Sequence, residues 1–250
     1  MAETYVLVPG AWHGAWSWRP VAQRLRAAGH SVVALTLPGL ADGDDPRRFS
    51  LADTVDFVAG FLDTHDLTDV TLVAHSWGGY PVFGAAHRVP QRVRRVVFHS
   101  AFVPENGVAL VDDVPPGHAE LFRQLARDSG DHSVVLPYPV FQSAFAQDTP
   151  EPVQKLVYEL LVPQPMRYFE EPLHAPAFPT LGLPVSYLAG ESDLAMPPGD
   201  HAWCPRFPGR LGVEPITVPG DHEAFLTRPD AFVAALLRSH TVDGSARVPI

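Results

Sequence analysis

Ser76 closes a β-branched apolar run, Val70-Thr-Leu-Val-Ala-His-Ser-Trp-Gly-Gly-Tyr80, that passes straight into a helical pattern. A strand that becomes a helix with no loop between them forces the corner residue into a strained conformation and lifts its side chain above the sheet. A serine held there is displayed as a nucleophile. The crowding demands very small residues around it, which Ala74, Gly78 and Gly79 supply. The competing reading is that Ser76 merely caps the helix that begins near Trp77.

A serine hydroxyl is too weakly acidic to attack a carbonyl unaided and needs an imidazole to take its proton. His222, in Val218-Pro-Gly-Asp-His-Glu223, is the candidate base. The imidazole needs a carboxylate to fix its tautomer and steady the imidazolium that develops. Asp193, in Leu188-Ala-Gly-Glu-Ser-Asp193, is the candidate for that role, with Glu191, Asp200 and Asp221 as rivals. Asp221 is weakened by adjacency, since neighbouring residues on an extended turn point apart. Negative charge on the carbonyl oxygen must be met by fixed donors, one of them the backbone N–H after the nucleophile. That donor is Trp77, and the first loop offers Ala11 as the second.

These residues need a scaffold that delivers them to one edge. Strands are expected at Tyr5–Val8, Ser31–Leu35, Val70–Ala74, Val93–Phe98, Val185–Leu188 and Val213–Val218. Helical patterns lie between them at Trp18–Ala28, Leu51–His65, Tyr80–Val89, Pro198–Trp203 and Pro229–Ser239. The strands read as nearly continuous Val/Leu runs, covered on both faces, so the expected fold is α/β, a doubly wound and mainly parallel sheet of about six strands flanked by helices. In such sheets ligands gather beyond the carboxyl ends of the strands, where Ala11, Ser76, Asp193 and His222 all fall.

The interval from Pro104 to Leu183 breaks the alternation. It is rich in proline and aromatics and shows helix-like pieces at Gly117–Ser129, Val140–Gln147, Pro152–Val162 and Arg167–Glu171, with no strand-like periodicity. It is expected to be an inserted helical cap at 104–183, dividing a core domain formed by 1–103 and 184–240, with 241–250 a flexible tail. Trp12, His75, Phe122, Phe145 and Tyr168 are candidate substrate contacts, with Phe141 and Phe169 as further cap aromatics; His75 reads as a packing or hydrogen-bonding residue and not a second base.

The chain has 250 residues and a formal net charge of −10, which favours solubility and argues against a nucleic-acid partner. A single cysteine, Cys204, excludes an internal disulfide framework, and no His-Glu-x-x-His spacing occurs, so neither metal nor cofactor is expected. Apolar runs are far shorter than the roughly 20 residues of a membrane span. With no basic leader before the first strand, the expectation is a cytoplasmic protein. Lys155 is the lone lysine, a bias expected of a GC-rich bacterial genome. A homodimer is compatible with this composition.

Ser, Asp and His follow one another in the chain order of α/β-hydrolases, each at a strand end. With that order, the segments Pro9-Gly-Ala-Trp-His-Gly-Ala-Trp-Ser-Trp18, Ala28-Gly-His-Ser-Val-Val-Ala-Leu-Thr-Leu-Pro-Gly39, Ala74–Gly79 and Gly220-Asp-His222 make the sequence resemble the α/β-hydrolase superfamily. Within it the sequence is most similar to the branch of plant methyl esterases and hydroxynitrile lyases. The likeness covers the sheet domain well and the cap poorly. Two departures stand out. Pro9-Gly10 replaces the His-Gly that opens the first loop in many relatives, and Glu223 replaces the lysine that holds cyanide charge in the lyases, where a carboxylate is expected to repel that anion and so disfavour lyase chemistry. The resemblance therefore implies hydrolysis of a small hydrophobic ester or lactone through an acyl-enzyme, without a cofactor. Acyl transfer or carbon–carbon cleavage with the same residues, and a binding protein that kept a hydrolase shell, are the alternatives.

Overall fold

In a computed structural model, residues 2–240 are described; the tail expected at 241–250 lies outside them. Six strands form one parallel sheet: β1 (Thr4–Val8), β2 (Ser31–Ala34), β3 (Val70–His75), β4 (Val93–His99), β7 (Val185–Gly190) and β8 (Pro215–Val218), in the order β2-β1-β3-β4-β7-β8. Two further strands, β5 (Ser133–Val134) and β6 (Gln164–Pro165), pair antiparallel outside this sheet. The doubly wound α/β architecture read from the Val/Leu runs is the one found. β3 is buried at every position, as a central strand covered on both faces must be.

The register brings the strand ends level. Val8 pairs with Ala74, His75 with His99, His99 with Leu188, and Gly190 with Val218. The residues that follow β1, β3, β4, β7 and β8 therefore emerge along one rim of the sheet.

The helices of the sheet layer start and stop where the chemistry requires. Leu51–Thr64 opens with a capping box, in which Ser50 and Asp53 exchange side-chain and backbone hydrogen bonds. Pro229–Arg238 begins on proline, whose missing N–H is unneeded there. One expected helix is corrected: Pro198–Trp203 is irregular, and the helix lies later, at Arg206–Leu211. Pro197 and Pro198 remove two backbone donors, and Gly199 takes φ 101°, so the chain turns there instead of coiling.

Between β4 and β7 the chain carries helices at Leu110–Asp113, Pro116–Ser129, Tyr138–Val140, Glu151–Glu159 and Arg167–Glu170, the third continuing into a π-helical turn at Phe141–Phe145. The interval was expected to hold no strand, yet β5 and β6 lie in it. Each is two residues long and one contains Pro165, so neither has a periodicity to read.

Candidate active site

Ser76 sits at φ 51°, in the left-handed region that a side chain avoids. A residue held there costs about 1–3 kcal/mol and persists only where its surroundings over-determine it. Those surroundings are visible. A β-carbon on Gly78 would collide with the carbonyl of Pro9, and one on Gly79 with the carbonyl of Phe102. One on Gly10 would lie 2.8 Å from the Ser76 β-carbon and 2.9 Å from His75 Nδ1. The β1 loop and the chain after β4 thus clamp the corner from both sides, and the Phe102 N–H donates to the Ser76 carbonyl at 3.1 Å.

His222 and Asp193 meet across the β7 and β8 loops. Nδ1 of His222 lies 2.7 Å from Asp193 Oδ2, and both side chains are buried. Asp193 also accepts from the Ala195 N–H at 3.0 Å and from the Ser100 hydroxyl. Burial alone would lower the imidazole's pKa, but the charge and hydrogen bond of Asp193, with Glu223 and Asp221 beyond, outweigh it and hold His222 above the ordinary histidine value. Burial likewise works to raise Asp193, and the facing imidazole with its hydrogen bonds wins, keeping the carboxyl below its ordinary value. Of the rival acids, Asp221 turns away. Its carboxylate accepts from the Asp148 N–H, the Thr149 hydroxyl and the Glu223 N–H, and burial raises its pKa to about 6.

The opposite nitrogen of His222, Nε2, is buried without a hydrogen bond. No hydrogen bond joins it to Ser76 in this structure; such contacts are often long in the free enzyme and tighten around substrate. The two residues share their surroundings. Phe145 and Trp203 line one cavity with Ser76 and also flank the imidazole, Phe145 edge-on at 5.0 Å and Trp203 nearly parallel at 5.5 Å between ring centres.

That cavity has an empty volume of about 380 Å³ counted to its open mouth. Ala11, Trp12 and Trp77 stand on its wall beside Ser76, as do Phe122, Phe145 and Phe169. Trp77 is the second residue of the helical turn Ser76–Gly78, so its N–H belongs to the group that lacks intrahelical acceptors. Trp12 cannot offer its N–H, which donates to Gln164 Oε1 at 3.0 Å; the Ala11 N–H precedes it.

Three expectations are corrected. Tyr168 does not line the cavity: it stacks on the outer side of Trp77, ring centres 5.0 Å apart, and its hydroxyl donates to the Pro38 carbonyl at 2.5 Å. Its helical neighbour Phe169 faces the cavity instead. His75 does not line it either, since its Nε2–H donates to the His222 carbonyl at 3.1 Å and burial, with His222, His99 and His13 nearby, keeps the ring neutral. Glu223 was expected to set its charge against an anion in the site, yet its side chain is wholly buried against His13 and away from the cavity wall.

Sequence reasoning missed His118, Met196 and Trp203 on the wall. His118 lies on a helix correctly expected, but nothing in its spacing marks the inward face. Trp203 lies ten positions beyond Asp193 in the irregular stretch misread as helix. Among the described residues no group of three or more His, Cys, Asp or Glu is placed to hold a metal ion, and no helix is long and apolar enough to cross a membrane.

Comparison with known proteins adds to this geometry. Residues 5–235 match the alpha/beta hydrolase family. A carbendazim hydrolyzing esterase of Nocardioides sp. (strain SG-4G) is 39% identical over 113 residues, 44% of this chain and 47% of that protein. Methylesterase 7 of Arabidopsis thaliana is 34% identical over 177 residues, 67% of this chain and 63% of the relative. The matches thus span about half to two thirds of those relatives' lengths. An extracellular alpha/beta-hydrolase from a Paenibacillus species, described as sharing structural and functional homology with tobacco salicylic acid binding protein 2, superposes with a TM-score of 0.91 at 30% identity, covering 95% of this chain and 98% of that one. The chain belongs to the alpha/beta hydrolase family, in its plant methylesterase-like branch.

Proposed function

We propose that the protein hydrolyses a small hydrophobic carboxylic ester, or a lactone of similar size, through an acyl-enzyme on Ser76. The observation that carries the reading is the buried 2.7 Å contact between Asp193 and His222 Nδ1, with Nε2 left unpaired beside the cavity that displays Ser76 at a strained corner. In the first half-reaction Ser76 Oγ attacks the carbonyl carbon and its proton passes to His222 Nε2. Asp193 steadies the imidazolium without taking the proton. The Ala11 and Trp77 N–H groups meet the negative oxygen of the tetrahedral intermediate. Collapse expels the alcohol, which leaves with the proton from His222. Water then attacks acyl-Ser76, giving its proton to His222, and the second collapse returns the hydroxyl of Ser76.

Residues 104–183 act in this reading as the cap that shapes the acyl or alcohol pocket. The wall is mostly aromatic and aliphatic, which suits an apolar substrate fragment. The name of one relative, a methylesterase, favours methanol as the leaving group. The deciding experiment labels the folded protein with a serine-directed fluorophosphonate and assays a panel of methyl, phenyl and lactone substrates. Labelling confined to Ser76 and turnover of some members are expected. Failure of both sinks the proposal, and products appearing only with an added alcohol or thiol acceptor would replace hydrolysis by acyl transfer.

A further inference from the structure

The β1 loop carries its own strain, and its supports reach deep behind the site. Trp12 adopts φ 65°, in the region that a bulky side chain avoids. The peptide unit joining Ala11 to Trp12 is gripped at both ends. Its N–H donates to Gln164 Oε1 at 3.0 Å, and its carbonyl oxygen accepts from His13 Nδ1 at 2.7 Å. A carbonyl can only accept, so Nδ1 of His13 must carry a hydrogen.

The other nitrogen of that ring points at a second buried group. His13 Nε2 lies 3.4 Å from Glu223 Oε2, with the two side chains 2% and 0% exposed. Neither Glu223 oxygen has a hydrogen-bond donor, and His13 Nε2 has no other partner. Lone pairs of an imidazole and a carboxylate facing one another in a dry site repel, and a buried carboxylate with no donor is costly. One proton between them removes both penalties. The pair is either imidazolium and carboxylate or imidazole and carboxylic acid, and in both forms Nδ1–H remains directed at Ala11.

We propose that Glu223 is a positioning residue that shares a proton with His13 and, through it, fixes the peptide plane after Ala11, so that the Ala11 N–H is aimed at the carbonyl oxygen of the substrate. The proposal rests on the ester-hydrolysis reading for its kinetic consequence but not for the pair itself. Glu223 also follows His222 directly, so a single turn places both the proton acceptor and the brace of the oxyanion loop. Other titratable groups surround the pair: Asp221, His222 and His99 lie within electrostatic reach of Glu223, and the ring centre of His75, whose Nε2–H is committed to the His222 carbonyl, lies 6.3 Å from that of His13.

Two measurements test it. In the wild-type protein with ¹⁵N-labelled histidine, two-bond ¹H–¹⁵N correlations of the His13 ring near neutral pH should show a protonated Nδ1; a bare Nδ1 overturns the proposal whether or not any ester is turned over. In parallel, wild type, Glu223→Leu and Glu223→Gln are compared per mole of fluorophosphonate-titrated Ser76. The leucine variant should lose roughly tenfold in kcat with KM within about twofold, since a loosened donor forfeits part of the ~10²-fold that a lost one costs. The glutamine variant, whose amide N–H can still face Nε2, should recover to within about threefold of wild type. Glu223→Met takes the place of the leucine variant if that one does not fold. Equal kcat in all variants, or a loss carried by KM alone, overturns the proposal. Absence of turnover in wild type with a protonated His13 Nδ1 sinks the ester reading and leaves the pair standing.

Discussion

Trp203 lies almost parallel to His222, with 14° between the ring planes, and closes one face of an imidazole whose Nδ1 is already engaged by Asp193. The ring is thereby held in one orientation and shielded from water on that side. An imidazole fixed in this way depends on Asp193 for its tautomer. Asp193→Asn should keep the fold and lower kcat by about 10⁴, because the amide favours the wrong ring nitrogen for the proton. Ser76→Ala should lose at least as much. Steady-state ester kinetics on both variants check this, and a rate within tenfold of wild type in either would remove that residue from the mechanism.

The pH profile follows from the same pair. Asp193 raises the folded-state pKa of His222 above the ordinary histidine value of about 6.5. Only the neutral ring accepts the serine proton. The profile of kcat/KM should therefore climb with pH through a midpoint above about 6.5, and a midpoint well below that value would contradict the assignment.

Gly79 has no room for any side chain. Its missing β-carbon is where the Phe102 carbonyl sits, and that carbonyl is backbone, which cannot swing aside. Gly79→Ala should destabilise the protein by about 3 kcal/mol or more, the upper end of what overpacking costs. Urea unfolding measures it. Gly117, with open space at the same position, is the control, and Gly117→Ala should change stability little.

His99 predicts acid lability. Burial, with His222 nearby, lowers its folded-state pKa to about 4, while the unfolded chain titrates near the ordinary value. A depressed folded value means that the unfolded state binds the extra proton between the two. The associated stability is present above about 6.5 and is lost as pH falls toward the folded value, at about 1.4 kcal/mol per pH unit for one proton. His99 packs against Phe225 and Phe232, so His99→Phe should fit the site and flatten the dependence by one proton. Urea unfolding at stepped pH decides it; an unchanged slope would mean that His99 is not the group.

Phe122 stands on the cavity wall, packed on Trp12 and Phe169. Phe122→Ala should shift preference toward longer or bulkier acyl groups by roughly tenfold in relative kcat/KM, the range one or two methylenes command. Competition between short and long esters reads this directly.

The sheet was legible because its central strands β1 and β3 are buried almost throughout and so carry runs of apolar residues; all six strands appear, with β3, β4 and β7 reaching slightly past the ends expected, β2 stopping one residue short and β8 starting two residues late. The serine corner was legible because the small residues it requires, Ala74, Gly78 and Gly79, are written within three positions of Ser76, although the atoms that exclude β-carbons at the two glycines belong to Pro9 and Phe102. What escaped depends on which way a helix faces. Tyr168 and Phe169 are adjacent aromatics on one short helix, and only packing decides that Phe169 meets the cavity while Tyr168 turns to Trp77. The role of Glu223 was misjudged because a charged residue beside His222 reads as solvent- or ligand-facing, whereas its side chain folds back onto His13, some two hundred positions earlier.

Ser76, Asp193 and His222 are borne on loops at the rim of the sheet, whereas Phe122, Phe145 and Phe169 come from the chain between β4 and β7. Diversity introduced at those three positions would sample new acyl partners while leaving the reacting groups on a fixed chassis. Retargeting is thus a problem for a small combinatorial library, with the boundary that Trp12 and Gln164 must be retained, since a change that frees the Ala11–Trp12 peptide would dull every variant alike.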